Sequence, residues 1–196
     1  MVFYESFMKF CFDDEDVFCI EKDPLVVEAE GVKACECVVL IHPHVALIEA
    51  KASSPKDISG DNFRDFISDI KQKFSDSLCL FNEIKSKKYG EEAFLRLPLH
   101  LQKWSIVPSK YAVCLIVHGH KIDWLGGLQD ALREAMRDVI KQWSIKDAQV
   151  KVYNEDTALE YQLIVAFIPK SERDAVREKD GSISLDKTKA WFSEHS

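Results

Sequence analysis

The chain has 196 residues, 46% of them hydrophobic, and a formal net charge of −7. This length suits one domain with a sizeable core, and the small numbers of Gly (7) and Pro (6) exclude a collagen-like or low-complexity chain. The acidic balance argues against a protein coated in basic surface, which weakens any simple nucleic-acid-binding interpretation. No apolar run is long enough for a transmembrane helix, and the N-terminal residues lack the pattern of an export signal. We therefore expect no membrane attachment.

The six cysteines are scattered along the chain and form no Cys-x-x-Cys pair. Most of them lie inside apolar stretches, which is typical of reduced core residues. We therefore interpret them as free thiols of a cytoplasmic protein rather than as a disulfide framework.

The first half of the chain predicts short strands followed by a long helix. Residues 3–20 fit two short strands, or one strand and a turn, broken by the acidic run Asp-Asp-Glu-Asp. Residues 32–41 and 44–52 are rich in apolar and β-branched residues and predict an antiparallel hairpin. Apolar residues from Phe63 to Phe81 then recur at helical spacing, with Asp61 or Asn62 as the expected N-cap.

The second half of the chain alternates buried strands with helices. The segment 111–119 predicts a buried strand, 125–143 an amphipathic helix and 148–153 a further strand, whereas 158–168 fits either a helix or a strand. This order predicts an α/β domain over residues 1–168, with a mixed central sheet flanked by helices. Residues 169–196 form a charged C-terminal extension.

The hairpin carries two charged residues in an otherwise apolar strand. Glu49 and Lys51 share one face of that strand, because strand side chains alternate. A two-residue loop at positions 42–43 pairs Glu36 with Glu49, and a four-residue loop at 42–45 pairs Glu36 with Lys51. The longer loop is favoured, because Pro43 cannot adopt the positive φ of a primed two-residue turn. Both registers place Glu36 on the face of Glu49, whereas a three-residue loop would not.

Two carboxylates held close together repel each other unless a cation lies between them. Oxygen ligands of this kind are the ones that Mg²⁺ prefers. The ammonium group of Lys51 beside them can hold an attacking water molecule or stabilise charge on a phosphoryl group. The hairpin therefore carries the groups that metal-dependent phosphodiester cleavage needs.

The pattern E-(x)12-E-A-K, formed by Glu36, Glu49 and Lys51, resembles the PD-(D/E)xK nuclease superfamily over roughly residues 18–120. The resemblance implies a restriction-endonuclease-like core of a helix, three meandering strands, a crossover helix and a further strand. It also implies a nuclease that needs Mg²⁺ or Mn²⁺, with DNA favoured over RNA. Glu36 and Glu49 would bind the metal, and Lys51 would be the motif lysine.

Two further residues match positions that families of this group often add. Glu21 is the candidate upstream metal ligand, and Lys73 is the candidate polar residue of the crossover helix. Glu36 stands where the superfamily usually has Asp, a departure that bears on activity more than on fold.

Other interpretations remain open. Glu49 and Lys51 could be a solvent-facing salt bridge, or the fold could serve as a non-catalytic interaction subunit of a defence or mobile-element complex. A third interpretation is an unrelated α/β domain in which the Glu-x-Lys pattern occurs by chance. This interpretation fails if the helix from Phe63 packs against the strand of Glu49. The acidic net charge suggests that a nuclease of this kind needs a protein partner, a homo-oligomer or a structured substrate.

Overall fold

The protein was analysed as a computed structural model that describes residues 1–56, 60–105 and 110–195. It is an α/β protein built on a mixed five-stranded sheet, as predicted. In spatial order the strands are β3 (Val17–Phe18), β4 (Cys37–Ile41), β5 (His44–Lys51), β6 (Tyr111–Val117) and β7 (Val150–Tyr153). The β3–β4 and β4–β5 pairs are antiparallel, whereas β5–β6 and β6–β7 are parallel.

Helices cover one face of this sheet. The parallel strands are joined by α2 (Asp61–Lys85) and by the pair α5 (Ile122–Ala135) and α6 (Arg137–Trp143), while α1 (Pro24–Val27), α3 (Gly90–Leu95) and α4 (Leu99–Lys103) are short. Apolar residues of α2, α5 and α6 share one core cluster with the sheet. The single helix expected over 125–143 is therefore two helices, which meet at Met136.

The opposite face of the sheet is covered mainly by a second, smaller sheet. It contains β1 (Val2–Glu5), β2 (Met8–Cys11) and β8 (Ala166–Phe167), all antiparallel. The short helix α7 (Glu155–Glu160) also packs on this side. The segment 158–168, which fitted either structure in the sequence, thus holds the end of α7 and then β8.

Strand β5 is apolar on both faces because both faces are covered. Val45 and Leu47 lie in the core beneath α2, whereas Ala46 and Ile48 face the smaller sheet. Glu49 follows the alternation of Val45 and Leu47, so it lies on the α2 side.

The turn between β4 and β5 corrects the expected hairpin register. Cys37 pairs with Ile48 and Ile41 pairs with His44, so the loop contains two residues and not four. The His42–Pro43 peptide is cis, and a cis proline at the second central position is the turn type that accommodates Pro43 in so short a loop. Extending this register by one residue places Glu36 opposite Glu49.

Helix α2 begins where its apolar stripe predicts. Its residues Phe63, Ile67, Ile70, Phe74, Leu78 and Phe81 are buried. The N-cap is Gly60 rather than Asp61 or Asn62, and it makes no side-chain capping bond. The apolar stripe of α2 packs against β5, the strand that carries Glu49.

The turn between β1 and β2 has an uncommon backbone. Ser6 and Phe7 have φ angles of 50° and 68°, as the two central residues of a type I′ turn require. Such angles are uncommon for residues other than Gly and are outliers for bulky ones. Phe7 is fully buried, so its burial offsets the backbone strain.

The C-terminal segment provides the contacts that bury Phe7. Ile168, Val176 and Phe192, the last in α8 (Leu185–Glu194), form one apolar cluster with it. The guanidinium carbons of Arg173 and Arg177 lie 5.0 Å and 5.2 Å from the centre of its ring. In the described ranges, no helix has both the length and the apolar composition that a membrane crossing requires.

We expect Phe7→Ala to lower the free energy of unfolding by about 3–5 kcal/mol, because it removes a fully buried aromatic ring from this cluster. Val27→Ala is the control, because Val27 is 71% exposed and its loss should change stability by less than about 0.5 kcal/mol. Denaturant unfolding measures both values. If both substitutions changed the free energy of unfolding by equally small amounts, this would show that the C-terminal segment does not hold the β1–β2 turn in place.

Candidate functional site

The side chain of Glu49 is fully buried on the α2 side of the sheet. Its Oε1 atom is 2.8 Å from the Nζ of Lys51 and accepts a hydrogen bond of 2.7 Å from the Nζ of Lys73. Its Oε2 atom is also buried but has no hydrogen-bond partner among the described residues. A buried carboxylate oxygen without a donor is costly, so this atom marks a position where a further group is expected.

Lys73 is the residue of α2, the crossover helix, that contacts Glu49. Burial disfavours its charged form, but the charge of Glu49 and the hydrogen bond to it outweigh that effect, so the pKa of Lys73 is raised. Lys73 is therefore a permanent cation at neutral pH, and two ammonium groups hold one oxygen of Glu49.

Asp69 lies one helical turn before Lys73 and continues the charge network outward. It binds the Nζ of Lys33 at 2.6 Å and lies 3.9 Å from the Nζ of Lys51. Burial works against the charged form of Asp69, but the hydrogen bond and charge of Lys33 outweigh it and lower the pKa of Asp69. Lys51 thus lies between the buried carboxylate of Glu49 and the more exposed carboxylate of Asp69.

Glu36 directly precedes β4 and is 6% exposed. The residue before it is anchored to α2, because the backbone N–H of Cys35 donates a 2.9 Å hydrogen bond to the Oγ of Ser77. Burial raises the pKa of Glu36 to about 10, and the charge of Glu49 adds to this effect. Glu36 is therefore protonated at neutral pH when only protein groups surround it.

Two more carboxylates reach Glu36 from the N-terminal region. Glu21 lies in the 3₁₀ turn Ile20–Lys22, and Glu5 is the last residue of β1. The charges of both residues raise the pKa of Glu36, and Glu21 also shares a hydrogen bond with it. The charges of Glu5, Glu21 and Glu49 therefore all act on Glu36, and the ammonium groups that pair with Glu49 are those of Lys51 and Lys73.

This donor set fits a hard divalent cation in its chemistry. All four groups offer carboxylate oxygens, which Mg²⁺ and Mn²⁺ prefer, and the Oε2 atom of Glu49 has no protein donor among the described residues. A cation would also replace the proton that burial and the neighbouring carboxylates favour on Glu36. As they stand, no three His, Cys, Asp or Glu side chains within the described ranges are grouped closely enough to hold a metal ion.

Of the residues that the sequence proposed for this site, Lys51 and Lys73 contact Glu49, and Glu49 and Glu21 act on Glu36. The sequence analysis missed Glu5 and Asp69. Asp69 could have been found, because residues four apart on a helix lie on the same face. Glu5 carried no such signal, because the position of β1 depends on its packing against distant segments.

His118 and His120 make their contacts with residues outside this site. His118 is buried beneath the Arg173 side chain, which donates to its Nδ1 atom, and its ring contacts Phe7. His120 forms a 2.9 Å hydrogen bond with Ser54. All six cysteines are free thiols, as expected.

Comparison with known protein families, with curated proteins and with solved structures finds no match to this chain.

We expect Glu36→Gln to stabilise the metal-free protein at alkaline pH. Between the ordinary carboxyl pKa of 4.5 and about 10, the folded protein keeps a proton on Glu36 that the unfolded chain releases. Rising pH in this window therefore destabilises the wild type by up to about 1.4 kcal/mol per pH unit. The amide of the variant has no such proton, so its stability advantage should grow from pH 6 to pH 9.

Thermal unfolding in EDTA at several pH values measures this difference. Glu91→Gln serves as the control, because Glu91 is exposed and pairs with Lys87 rather than with a residue of the site. Parallel pH profiles for wild type and Glu36→Gln would show that Glu36 is not held protonated.

We expect Glu49→Gln to have the opposite effect and to destabilise the metal-free protein near pH 7. The substitution removes the negative charge that holds Lys51 and Lys73, of which Lys73 is only 18% exposed. Removing one partner of a buried ion pair costs about 3–5 kcal/mol. Unfolding in EDTA gives the value, and a stable Glu49→Gln variant would mean that the two lysines find other partners.

Proposed function

We propose that this chain is a nuclease that needs Mg²⁺ or Mn²⁺, with a restriction-endonuclease-like core and a site formed by Glu36, Glu49 and Lys51. DNA is favoured over RNA as the polymer. Glu21 is a further metal ligand in this proposal, and Lys73 is the positioning residue of the crossover helix.

The observation that carries the proposal is the state of the Glu49 carboxylate. Two lysines hold one of its oxygens, whereas the other is buried with no donor in the described residues and lies in a group of carboxyls that includes Glu36. A salt bridge that served only stability would not need these extra carboxylates. A metal site would, because metal-binding acids repel one another until the ion is bound.

The topology of the described residues supports the same proposal. Three antiparallel strands, β3 to β5, are followed by the crossover helix α2 and by the parallel strand β6. The resemblance implies this order of strands, crossover helix and strand preceded by a further helix, whereas β1 and β2 precede β3 in the described residues. The packing of α2 against β5 also argues against an accidental Glu-x-Lys.

The residues of the chain have separate roles in this proposal. Glu36, Glu49 and Glu21 would hold the cation, which would polarise the scissile phosphate and lower the pKa of a bound water. Lys51 is 27% exposed and can reach substrate, so it orients the attacking water or stabilises charge on the phosphate. Lys73 is less exposed and fixes the orientation of the Glu49 carboxylate.

A second candidate is the non-catalytic interaction subunit of a defence or mobile-element complex. The enclosure of the site favours it, because Glu49 is fully buried and Glu36 is 6% exposed. In that function the lysine pairs of Glu49 would serve only stability, and added Mg²⁺ would not stabilise the protein.

We expect wild type to cleave DNA with Mg²⁺ and to unfold at a higher temperature when Mg²⁺ is present. Lys51→Ala should lower cleavage by about 10²–10³-fold and keep the Mg²⁺-dependent stabilisation, because the lysine is not a metal ligand. Glu49→Gln should lose both. Thermal unfolding with and without Mg²⁺, paired with cleavage assays on single-stranded and duplex DNA, measures these effects.

Lys71→Ala is the matched control, since Lys71 lies on the same helix as Lys73 but pairs with Asp138 instead of Glu49. It should cleave DNA as wild type does. If wild type does not cleave and Mg²⁺ stabilises wild type and Glu49→Gln equally, the interaction subunit becomes the better account.

A further inference from the structure

A pocket of about 280 Å³ lies beyond the carboxyl ends of the parallel strands β5 and β6. The segment that follows β5 forms one side of the pocket, and the segment that follows β6 forms the other side together with the first two turns of α5. In open α/β sheets, ligands bind in the crevice outside the carboxyl ends of the strands. The described residues that line this pocket include none of the Glu49 site.

The pocket has an apolar inner part and an exposed aromatic wall. Phe63 and Leu128 line it and are almost fully buried in the core between α2 and α5. Trp124 also lines it, but its side chain is 42% exposed. An indole ring that is open to solvent in a pocket wall offers a flat surface on which another ring can stack.

His120 lies beside Trp124 and is fixed by its neighbours. The two rings make an edge contact with their centroids 5.8 Å apart. The Nδ1 atom of His120 forms a hydrogen bond of 2.9 Å with Ser54, and its backbone carbonyl accepts one of 3.1 Å from Asn154. Its Nε2 atom is buried and has no hydrogen-bond partner within the described ranges. An unsatisfied nitrogen in a wall residue favours a ligand that carries hydrogen-bonding groups of its own.

Helix α5 has two adjacent glycines in its interior, Gly126 and Gly127. Apart from proline, glycine is the least favourable residue in a helix interior. Close packing within the protein does not require it, because a Cβ at either position would meet no neighbouring atom of the described residues within 4 Å. Gly127 lines the pocket and lies on the same helix face as Trp124, three residues before it, whereas Gly126 does not line the pocket. A ligand that enters beside Trp124 would account for the missing side chain at Gly127.

Two exposed residues of opposite charge also line the pocket. Asp123 belongs to the first turn of α5, and Lys56 to the segment after β5. A carboxylate accepts hydrogen bonds from ring N–H and amino groups, whereas an ammonium group binds phosphate. Both α2 and α5 begin beside the pocket, and the N-terminal ends of helices favour a negative group. The lining therefore suits a flat ring with N–H donors and a negatively charged substituent.

We propose that this pocket binds a guanine nucleotide, either as a free mononucleotide or as the terminal unit of a strand. The base stacks on Trp124 in the space that Gly127 leaves open. Asp123 accepts hydrogen bonds from the N1–H and amino groups of guanine, and Lys56 binds the phosphate. This binding site goes beyond the nuclease proposal, because its lining is separate from Glu49 and the lysines that hold it.

The chemistry favours guanine over adenine, and the size favours one nucleotide over a longer ligand. Guanine presents two donors side by side to a carboxylate, whereas adenine presents an amino group beside a ring nitrogen that accepts. Pockets for drug-sized ligands measure about 300–1,000 Å³. The volume of about 280 Å³ lies just below this range, so it admits a single base with its sugar.

Isothermal titration calorimetry with 5′-GMP in EDTA compares wild type with the matched variants Gly127→Ala and Gly126→Ala. Both substitutions add one methyl group to the interior of α5, so both should raise the unfolding temperature without ligand by about 2–4 °C. Only Gly127→Ala fills the pocket, so it should weaken GMP binding by about tenfold. Gly126→Ala should bind GMP as wild type does.

Three further variants test the separate parts of the ligand. Trp124→Ala should weaken GMP binding by about 5–100-fold, because it removes the stacking surface. Wild type should bind GMP more tightly than AMP, and Asp123→Asn should remove this preference. Lys56→Gln should weaken GMP binding by about fivefold and leave the binding of guanosine, which has no phosphate, unchanged.

A single strand of thymines that ends in one guanine distinguishes the two sources of the base. Binding of this strand without binding of GMP, and with the same loss in Trp124→Ala, would assign the pocket to a strand end. If wild type binds neither probe, or if Gly127→Ala and Trp124→Ala bind GMP as tightly as wild type, the assignment is wrong. Equal binding of GMP and tryptophan amide would also overturn it, because the pocket would then fit an aromatic side chain of a protein partner. None of these results depends on cleavage at Glu49.

Discussion

The arrangement of the site depends on how the buried carboxylate of Glu49 is paired. A charge at this depth must be paired, and the pairing comes from Lys51 of the same strand and Lys73 of α2. The lysine of α2 can reach Glu49 only because the apolar stripe of that helix packs against β5. The hydrophobic core therefore fixes the position of the charges, and the charges in turn favour one placement of the helix on the strand.

The second constraint is the excess of negative charge around Glu36. Burial, and then the charges of Glu49, Glu5 and Glu21, raise its pKa, so the metal-free protein keeps a proton there at some cost in stability. A fold selected only for stability has no need to bring these groups together from separate elements. The proposed function would account for the arrangement, since a divalent cation would turn the repulsion into binding energy.

The N-terminal and C-terminal segments contribute buried side chains to the core. The β1–β2 turn places Glu5 near the acidic group, and the C-terminal cluster around Phe7 and Phe192 holds that turn at positive φ. The extension expected over residues 169–196 thus contributes buried contacts through Val176 and Phe192.

The sequence by itself determined the features that follow from local periodicity, such as the face of a strand or helix on which a residue lies. Alternation along β5 placed Glu49 and Lys51 on one face, and the helical spacing from Phe63 to Phe81 predicted α2. The parity of the hairpin placed Glu36 on the same face for a loop of either two or four residues.

Only the tertiary structure decided which distant groups meet. The hairpin register depended on the two-residue turn at His42 and Pro43, which propensity alone did not predict. The hydrogen bond from Lys73 depended on the placement of α2, and the arrival of Glu5 depended on a turn held by the C-terminal segment. Periodicity encodes the face on which a residue lies, whereas contacts between elements follow from how their buried faces pack together.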